Sequence, residues 1–431
     1  MKKVGIISLG CAKNLVDSEN ILGLLDHDQY QITNNVDEAD IVFVNTCGFI
    51  EASKKESIAT IFDTLSDKKK VVAVGCLVER YYEQLKKEMP EVDLFIPISQ
   101  YDRFNELLKE VDPSAPKEKA GVSDQFRLIS TGPVSAYLKI GEGCSNRCSY
   151  CAIPLIRGDF VSRPYADIID EAKKLASQNI KEIVVLQQDT TKYGVDLANG
   201  ENIVDLLKGL LAIKDFDYIR LLYLYPDEIT DDLIDLMASE PRLTPYFDVP
   251  IQHSESNILK AMNRRGDKRN LINLFAKIRS RVPHAILRTT VMVGFPGETE
   301  DDFKGLLSFI KEIEFDHLGA FTYSREEDTP AYLFPHQIEE KEKKKRLDKI
   351  MRTQQGISYR KNKTHIDEVM EGLIVGKDKE NYLFRSYWNA PDDVDGKIFV
   401  KSKNPLNLGD KVKVKITEAF VYDLMGEIVN R

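Results

Sequence analysis

"GCSNRCSYCAIPLIRG", residues 143–158, sets Cys144, Cys148 and Cys151 in a C-x3-C-x2-C spacing. Three thiols in one short loop suit a zinc site, a redox pair with a spare thiol, or part of an iron–sulfur cluster. A structural zinc site takes four protein ligands, and no fourth Cys or His stands nearby in the sequence. A redox pair leaves Cys144 without a role. A 4Fe–4S cluster on three thiolates uses all three and leaves one iron open for a substrate or cofactor. Zinc or a purely structural role stays the alternative.

Outward from this loop, short β-branched runs alternate with helical spacing. "AYLKI", "EIVVLQ", "YIRLLYLY", "YFDVPI", "ILRTTVMV" and "HLGAFTY" are strand candidates from Ala136 onward. Six such βα units predict a partial (β/α)6 barrel, short of the eight units of a closed one. The cysteine loop follows the first of these strands, at the barrel end that carries chemistry. Upstream, "KKVGIIS", "ADIVFVNT" and "KKVVAVG" each precede a helical pattern, which predicts a parallel-sheet α/β domain. "DPSAPKEKAGVSDQF" reads as a linker or surface excursion. Ile338 to Lys363 predicts a charged helix whose Lys run is a solvated face. Beyond it, "KIFVKS" and "KVKVKIT" predict a small all-β barrel. The fold class is therefore α/β with three domains, residues 1–131, 132–363 and 364–431.

A chain of 431 residues accommodates about three domains. Its 42% hydrophobic and 30% charged residues are those of a soluble globular protein, with no apolar run long enough to span a membrane. A formal charge of −9 argues against a protein that coats nucleic acid generally. "MKKVGIISLGC" has the outline of a lipoprotein signal, but Val4 to Ile7 is too short for one and reads as a strand. A cytoplasmic location is expected, where clustered thiols serve metals or catalysis rather than disulfides.

The other three cysteines, Cys11, Cys47 and Cys76, are far apart in sequence, yet each closely follows one of the N-terminal strands. Strand ends of a parallel sheet share one edge, so three loops can gather three thiols. Each cysteine also precedes a helical segment, whose N-terminal dipole favours a thiolate. One buried cysteine packs as a small hydrophobe, but three at equivalent strand ends predict a second cluster.

The C-x3-C-x2-C loop, with Tyr150 before its last cysteine, resembles the signature of radical S-adenosylmethionine (SAM) enzymes. "SLGCAKNLVDSE" (8–19), "NTCGFIEASKKES" (45–57), "VGCLVERY" (74–81) and "GCSNRCSYCAIPLIRGDFVSRP" (143–164) together resemble the radical-SAM methylthiotransferases. The likeness runs nearly end to end, through an N-terminal methylthiotransferase domain, a radical-SAM core and a C-terminal TRAM domain. "CSYCAIPLIRG" and "RSYWNAPDDVDG" place it nearer the branch acting on ribosomal protein S-twelve than the tRNA branch. Ala12 departs from the Pro expected beside a cluster ligand.

That resemblance implies two 4Fe–4S clusters, on Cys11, Cys47 and Cys76 and on Cys144, Cys148 and Cys151. It implies two SAM molecules, one as methyl donor and one as radical source, and a methylthio group added to the β-carbon of an aspartate. It further implies an electron donor such as a flavodoxin or ferredoxin, with S-twelve met free or in the small subunit. Tyr150, Gln188, Asp189, Gln252, Ser254, Arg264, Arg288 and Glu298 are the expected SAM contacts, since amide, hydroxyl and guanidinium groups suit its ribose and carboxylate. His253 orders a loop or acts directly, and Arg157 fixes the cluster loop or touches substrate. No general acid or base is assigned.

Residues 364–431 carry 10 Lys and Arg against 12 Asp and Glu. With an acidic "PDDVDG" loop, that balance suits a basic protein partner, with nucleic acid only as ribosome context. Lys411, Lys413 and Lys415 fall on one strand face and keep an RNA contact open. A tRNA adenosine as substrate and a non-catalytic ribosome-binding scaffold are the alternatives.

Overall fold

In the computed structural model of the chain, residues 1–26, 28–66, 68–115, 127–391 and 395–429 are described. Val42, Phe43, Val44 and Val71 to Val74 are fully buried, as strands covered on both faces must be. They centre a wholly parallel sheet of Lys2–Ser8 (β1), Tyr30–Ile32 (β2), Ile41–Thr46 (β3), Lys70–Gly75 (β4) and Leu94–Ile96 (β5), ordered β2-β1-β3-β4-β5. The helices Ala12–Leu24 (α1), Glu51–Thr64 (α2) and Cys76–Glu88 (α3) follow β1, β3 and β4. α1 is unusual: Lys13, Asn14, Asp17, Ser18, Glu19 and Asn20 are all buried.

Most of the expected linker, residues 116–126, lies outside the described residues. Its start belongs to the sheet. Asp112 accepts from Lys2 Nζ at 2.6 Å and from the Tyr30 hydroxyl at 2.8 Å.

The second domain begins with Ser135–Lys139 (β6). Gly141–Glu142 (β7) and Val161–Ser162 (β8) pair antiparallel and close the cysteine loop at its base. Glu182–Leu186 (β9), Tyr218–Leu221 (β10), Tyr246–Asp248 (β11), Ile286–Val293 (β12) and His317–Thr322 (β13) complete the set. β6-β9-β10 and β11-β12-β13 are parallel ladders. Backbone bonds from Ile219 to Arg242 and from Leu224 to Asp248 join them into one curved six-strand array. This is the expected partial barrel, with its main core between the strands and the outer helices.

A helix at Glu340–Thr364 leads out of the barrel. Its Lys run is not uniformly solvated. Lys343 is buried and donates to the Tyr323 carbonyl at 2.9 Å, while Lys341, Lys344 and Lys345 are exposed. Val369–Asp378 (β14), Asn381–Arg385 (β15), Ile398–Lys401 (β16), Lys411–Ala419 (β17) and Leu424–Ile428 (β18) then form a closed barrel.

This small barrel docks where the larger one's strands begin. Arg385 meets Glu182 at 2.9 Å, Arg220 donates to the Ser386 carbonyl at 2.7 Å, and a ring nitrogen of His317 lies 2.7 Å from the Trp388 carbonyl. Trp388 is buried among Tyr137, Val184, Leu222, Tyr246 and Ile286, and the same cluster takes in Ala12 and Val16 of α1. The bore is thus filled by α1 from one side and Trp388 from the other.

Several charges of the small barrel are answered within the protein. Of the "PDDVDG" loop, residues 392–394 lie outside the described residues, and Asp395 faces inward, 2.6 Å from the Tyr246 hydroxyl and 3.4 Å from Arg288. The β17 lysines do line one exposed face, but acids answer them: Lys411 meets Glu371 at 2.8 Å and Lys415 meets Asp367 at 2.7 Å.

Candidate functional site

Cys11, Cys47 and Cys76 stand at the C-terminal edge of the N-terminal sheet, after β1, at the end of β3 and at the end of β4. Glycines let their loops touch. A Cβ on Gly10, which holds φ +91°, would come within 2.9 Å of Cys47 Cβ, and one on Gly48 within 2.8 Å of the Cys76 carbonyl. Asn14 stitches the three loops, donating to the carbonyls of Leu9 at 3.0 Å and Thr46 at 2.9 Å while its Oδ1 takes Cys76 Sγ at 3.2 Å.

The second set lies on the loop after β6. Asn146 of that loop donates to Asp189 at 2.7 Å and accepts from Lys192 at 2.6 Å. Arg264 donates to the Pro250 carbonyl at 2.7 Å and reaches the Tyr150 hydroxyl at 3.4 Å and Cys148 Sγ at 3.8 Å, its guanidinium 4.3 Å from the Tyr225 ring centre.

The two loops meet at Cys76. Cys76 packs against Ala152 and Ile156, just beyond Cys151. Arg157 spans the seam: one guanidinium nitrogen meets Asn14 Oδ1 at 2.6 Å, Asp17 at 2.7 Å and Cys76 Sγ at 3.3 Å, while the other meets Glu142 at 3.1 Å. Lys139 joins Asp17 at 2.6 Å and Glu142 at 3.0 Å. Burial would lower the Arg157 pKa, but Asp17 and Glu142 raise it well above the usual arginine value. Burial opposes ionisation of Glu142, yet Lys139 and Arg157 hold its carboxyl far below the ordinary range.

The donor chemistry fits clusters. Burial raises the thiols of Cys47, Cys144 and Cys151, and that of Cys76 to about 12, so a bound metal is what would take their protons. Among the described residues, no group of three or more His, Cys, Asp or Glu stands close enough to hold a metal ion. Around the mouth, Gln187, Gln188 and Gln252 each keep a buried side-chain oxygen without a partner, as a polar ligand's site requires.

The structure gathers some expected SAM contacts and separates others. Tyr150 is on the cysteine loop, Arg264 reaches it from beyond the helix Ser256–Ala261, and Gln188 donates to Glu142 at 3.3 Å. Asp189 is committed to Asn146 and Thr191, and burial raises its carboxyl. Gln252 and Ser254 are buried beside His253, whose Nδ1 accepts from the Glu255 amide and whose pKa burial lowers to about 3. His253 therefore stays neutral and orders its loop. Arg288 and Glu298 are engaged elsewhere. Arg288 is early on β12, between Asp248 at 2.6 Å and Asp395 at 3.4 Å. Glu298 holds its own turn through the Gly294 and Phe295 amides and meets Arg346 at 2.9 Å. Sequence reasoning missed Lys13, Asn14, Asp17 and Glu142; for the first three the signal was a helix start too polar for the apolar strands beside it.

An open six-strand βα barrel with a three-cysteine loop after its first strand defines a radical-SAM enzyme, and a radical-SAM superfamily model matches residues 138–310. Residues 3–97 match the model described as "Uncharacterized protein family UPF0004", and residues 366–429 match the TRAM domain. The chain belongs to the radical-SAM methylthiotransferase family of ribosomal protein uS12 methylthiotransferase RimO. It is 46% identical to the protein of that name from Clostridioides difficile, over 100% of this chain and 99% of the relative. It is also 46% identical to that of Aquifex aeolicus, over 98% and 96%. Among solved structures it resembles the radical SAM methyltransferase TsrM of Kitasatospora setae, with a TM-score of 0.54, 15% identity and 77% of each chain covered. The cobalamin-dependent SAM radical enzyme OxsB follows at 0.51 and 12%, over 83% of this chain and 56% of that one. These two likenesses speak to fold. Family membership implies a 4Fe–4S cluster and SAM. Among the described residues no helix is long and apolar enough to cross a membrane.

Proposed function

We propose that this chain methylthiolates the β-carbon of an aspartate in ribosomal protein uS12, with two 4Fe–4S clusters and two molecules of SAM. One observation carries this reading: Cys76 of the N-terminal set packs against the loop that bears Cys144, Cys148 and Cys151 and takes a hydrogen bond from its Arg157. When bound, these groups would supply reducing electrons, a hydrogen-abstracting fragment of SAM and a carrier for the transferred sulfur.

The chain's own residues position and shield. Cys144, Cys148 and Cys151 hold one cluster, and Cys11, Cys47 and Cys76 the other. Asn146, Asp189 and Lys192 fix the barrel loop, while Asn14 fixes the N-terminal loops. Tyr150, Gln188, Gln252, Ser254 and Arg264 serve SAM, and α1 keeps water from the bore. Arg288 and Glu298 hold the scaffold. Domain divisions near residues 131 and 363 suit the three family matches. The protein works in the cytoplasm with a flavodoxin- or ferredoxin-like donor. The full-length relatives favour neither a tRNA substrate nor a non-catalytic scaffold.

The test is an anaerobic reaction of reconstituted enzyme with SAM, sulfide and reductant, given small ribosomal subunits and bulk tRNA separately. A methylthio mass increment on a uS12 aspartate is expected; one only on a tRNA nucleoside would overturn the assignment. Changing Cys144, Cys148 and Cys151 to Ala should abolish SAM cleavage and leave about half the iron. The same change at Cys11, Cys47 and Cys76 should spare SAM cleavage and lose sulfur transfer.

A further inference from the structure

Lys13 is a buried cation of this site that no carboxylate pairs directly. It lies in the first turn of α1, is 7% exposed, and its ammonium stands 3.4 Å from the centre of the Tyr223 ring. Burial lowers its pKa, and Cys11, two residues before it, is the first of the groups that favour its charge, ahead of Asp248 and Glu142. The acids around it are taken. Asp17 and Glu142 are held by Lys139 and Arg157, and Asp248 by Arg288 and the Tyr223 amide.

Tyr223 fixes where the ammonium stands. It follows β10, its carbonyl accepts from the Thr190 amide at 3.0 Å, and its own amide donates to Asp248 at 3.0 Å. Lys13 therefore sits over the ends of β9, β10 and β11, between the N-terminal domain and the barrel. A buried ammonium that no carboxylate pairs directly is costly. Cation–π attraction offsets part of that cost, and an arriving carboxylate would offset the rest.

We propose that Lys13 is the specificity residue of the site, its ammonium gripping the carboxylate of the target aspartate. This rests on the activity proposed above. The carbon to be modified bears that carboxylate directly, so one ion pair would both select aspartate and hold its β C–H in the mouth. SAM also carries a carboxylate, but Lys13 belongs to the N-terminal domain beside Cys11, across the seam from Cys148 and Arg264.

The test uses the reconstituted full chain and two forms of uS12, one with the target aspartate and one with asparagine there. Affinity is read by fluorescence anisotropy. The wild type should favour the aspartate form by about ten- to a hundredfold. Lys13→Met and Lys13→Gln should bring the two forms within about twofold while SAM affinity and iron content stay at wild-type values. Variants that keep the preference would overturn the proposal, as would a loss of SAM affinity instead. A wild type that binds both forms equally overturns it without any variant. Mass spectrometry of the wild-type reaction separates this failure from failure of the activity itself.

Discussion

Arg157 is the residue on which the two domains agree. Its side chain is 1% exposed and answers two carboxylates, Asp17 from α1 and Glu142 from the barrel. Arg157→Met keeps the bulk and leaves both acids to Lys139, a change expected to cost up to about 3–5 kcal/mol, as when a buried pair loses one member. A lowered urea midpoint checks this; an unchanged midpoint would mean that Lys139 alone satisfies both acids. The six cysteines were legible because their spacings and strand-end positions are local facts. Asn14 and Asp17 were not, because their partner at residue 157 is far away in the chain and a polar helix turn reads as solvated. For Arg288 the strand was visible in sequence, while its pairing with Asp248 and Asp395 was not.

At the scale of elements, the sheet edge shows what pattern reading sees and misses. β1, β3 and β4 are long apolar runs and were plain. β2 and β5 have three residues each, too few for any period to register. Asp112 ties the edge together across β1 and β2. Burial would raise its carboxyl, but hydrogen bonds from Lys2, Ser114 and Tyr30 hold it at about 2. An unfolded aspartate titrates near 3.9. A carboxyl held lower contributes in full above about pH 4 and is lost as pH falls through about 2. Urea unfolding at pH 5 and at pH 2 checks the sign: the wild type should lead Asp112→Asn at the higher pH and lose most of that lead at the lower. A gap constant with pH would count against the ion pair.

The whole molecule is held by interfaces that no single domain contains. Arg80 and Lys54 clasp Glu326 beyond the last barrel strand, at 2.9 and 3.1 Å, and Trp388 fills the far end of the bore. Trp388→Ala should cost about 3–5 kcal/mol and split one calorimetric transition into two as the small barrel melts on its own. A single transition at the wild-type temperature would place the coupling elsewhere. The buried polar face of α1 has a further consequence during synthesis. The N-terminal domain leaves the ribosome first, before any barrel strand exists to cover that helix. Lys13, Asn14, Asp17 and Glu19 are at home in water until then, so the half-made chain offers chaperones little greasy surface there, and the same residues become a lock once the barrel arrives.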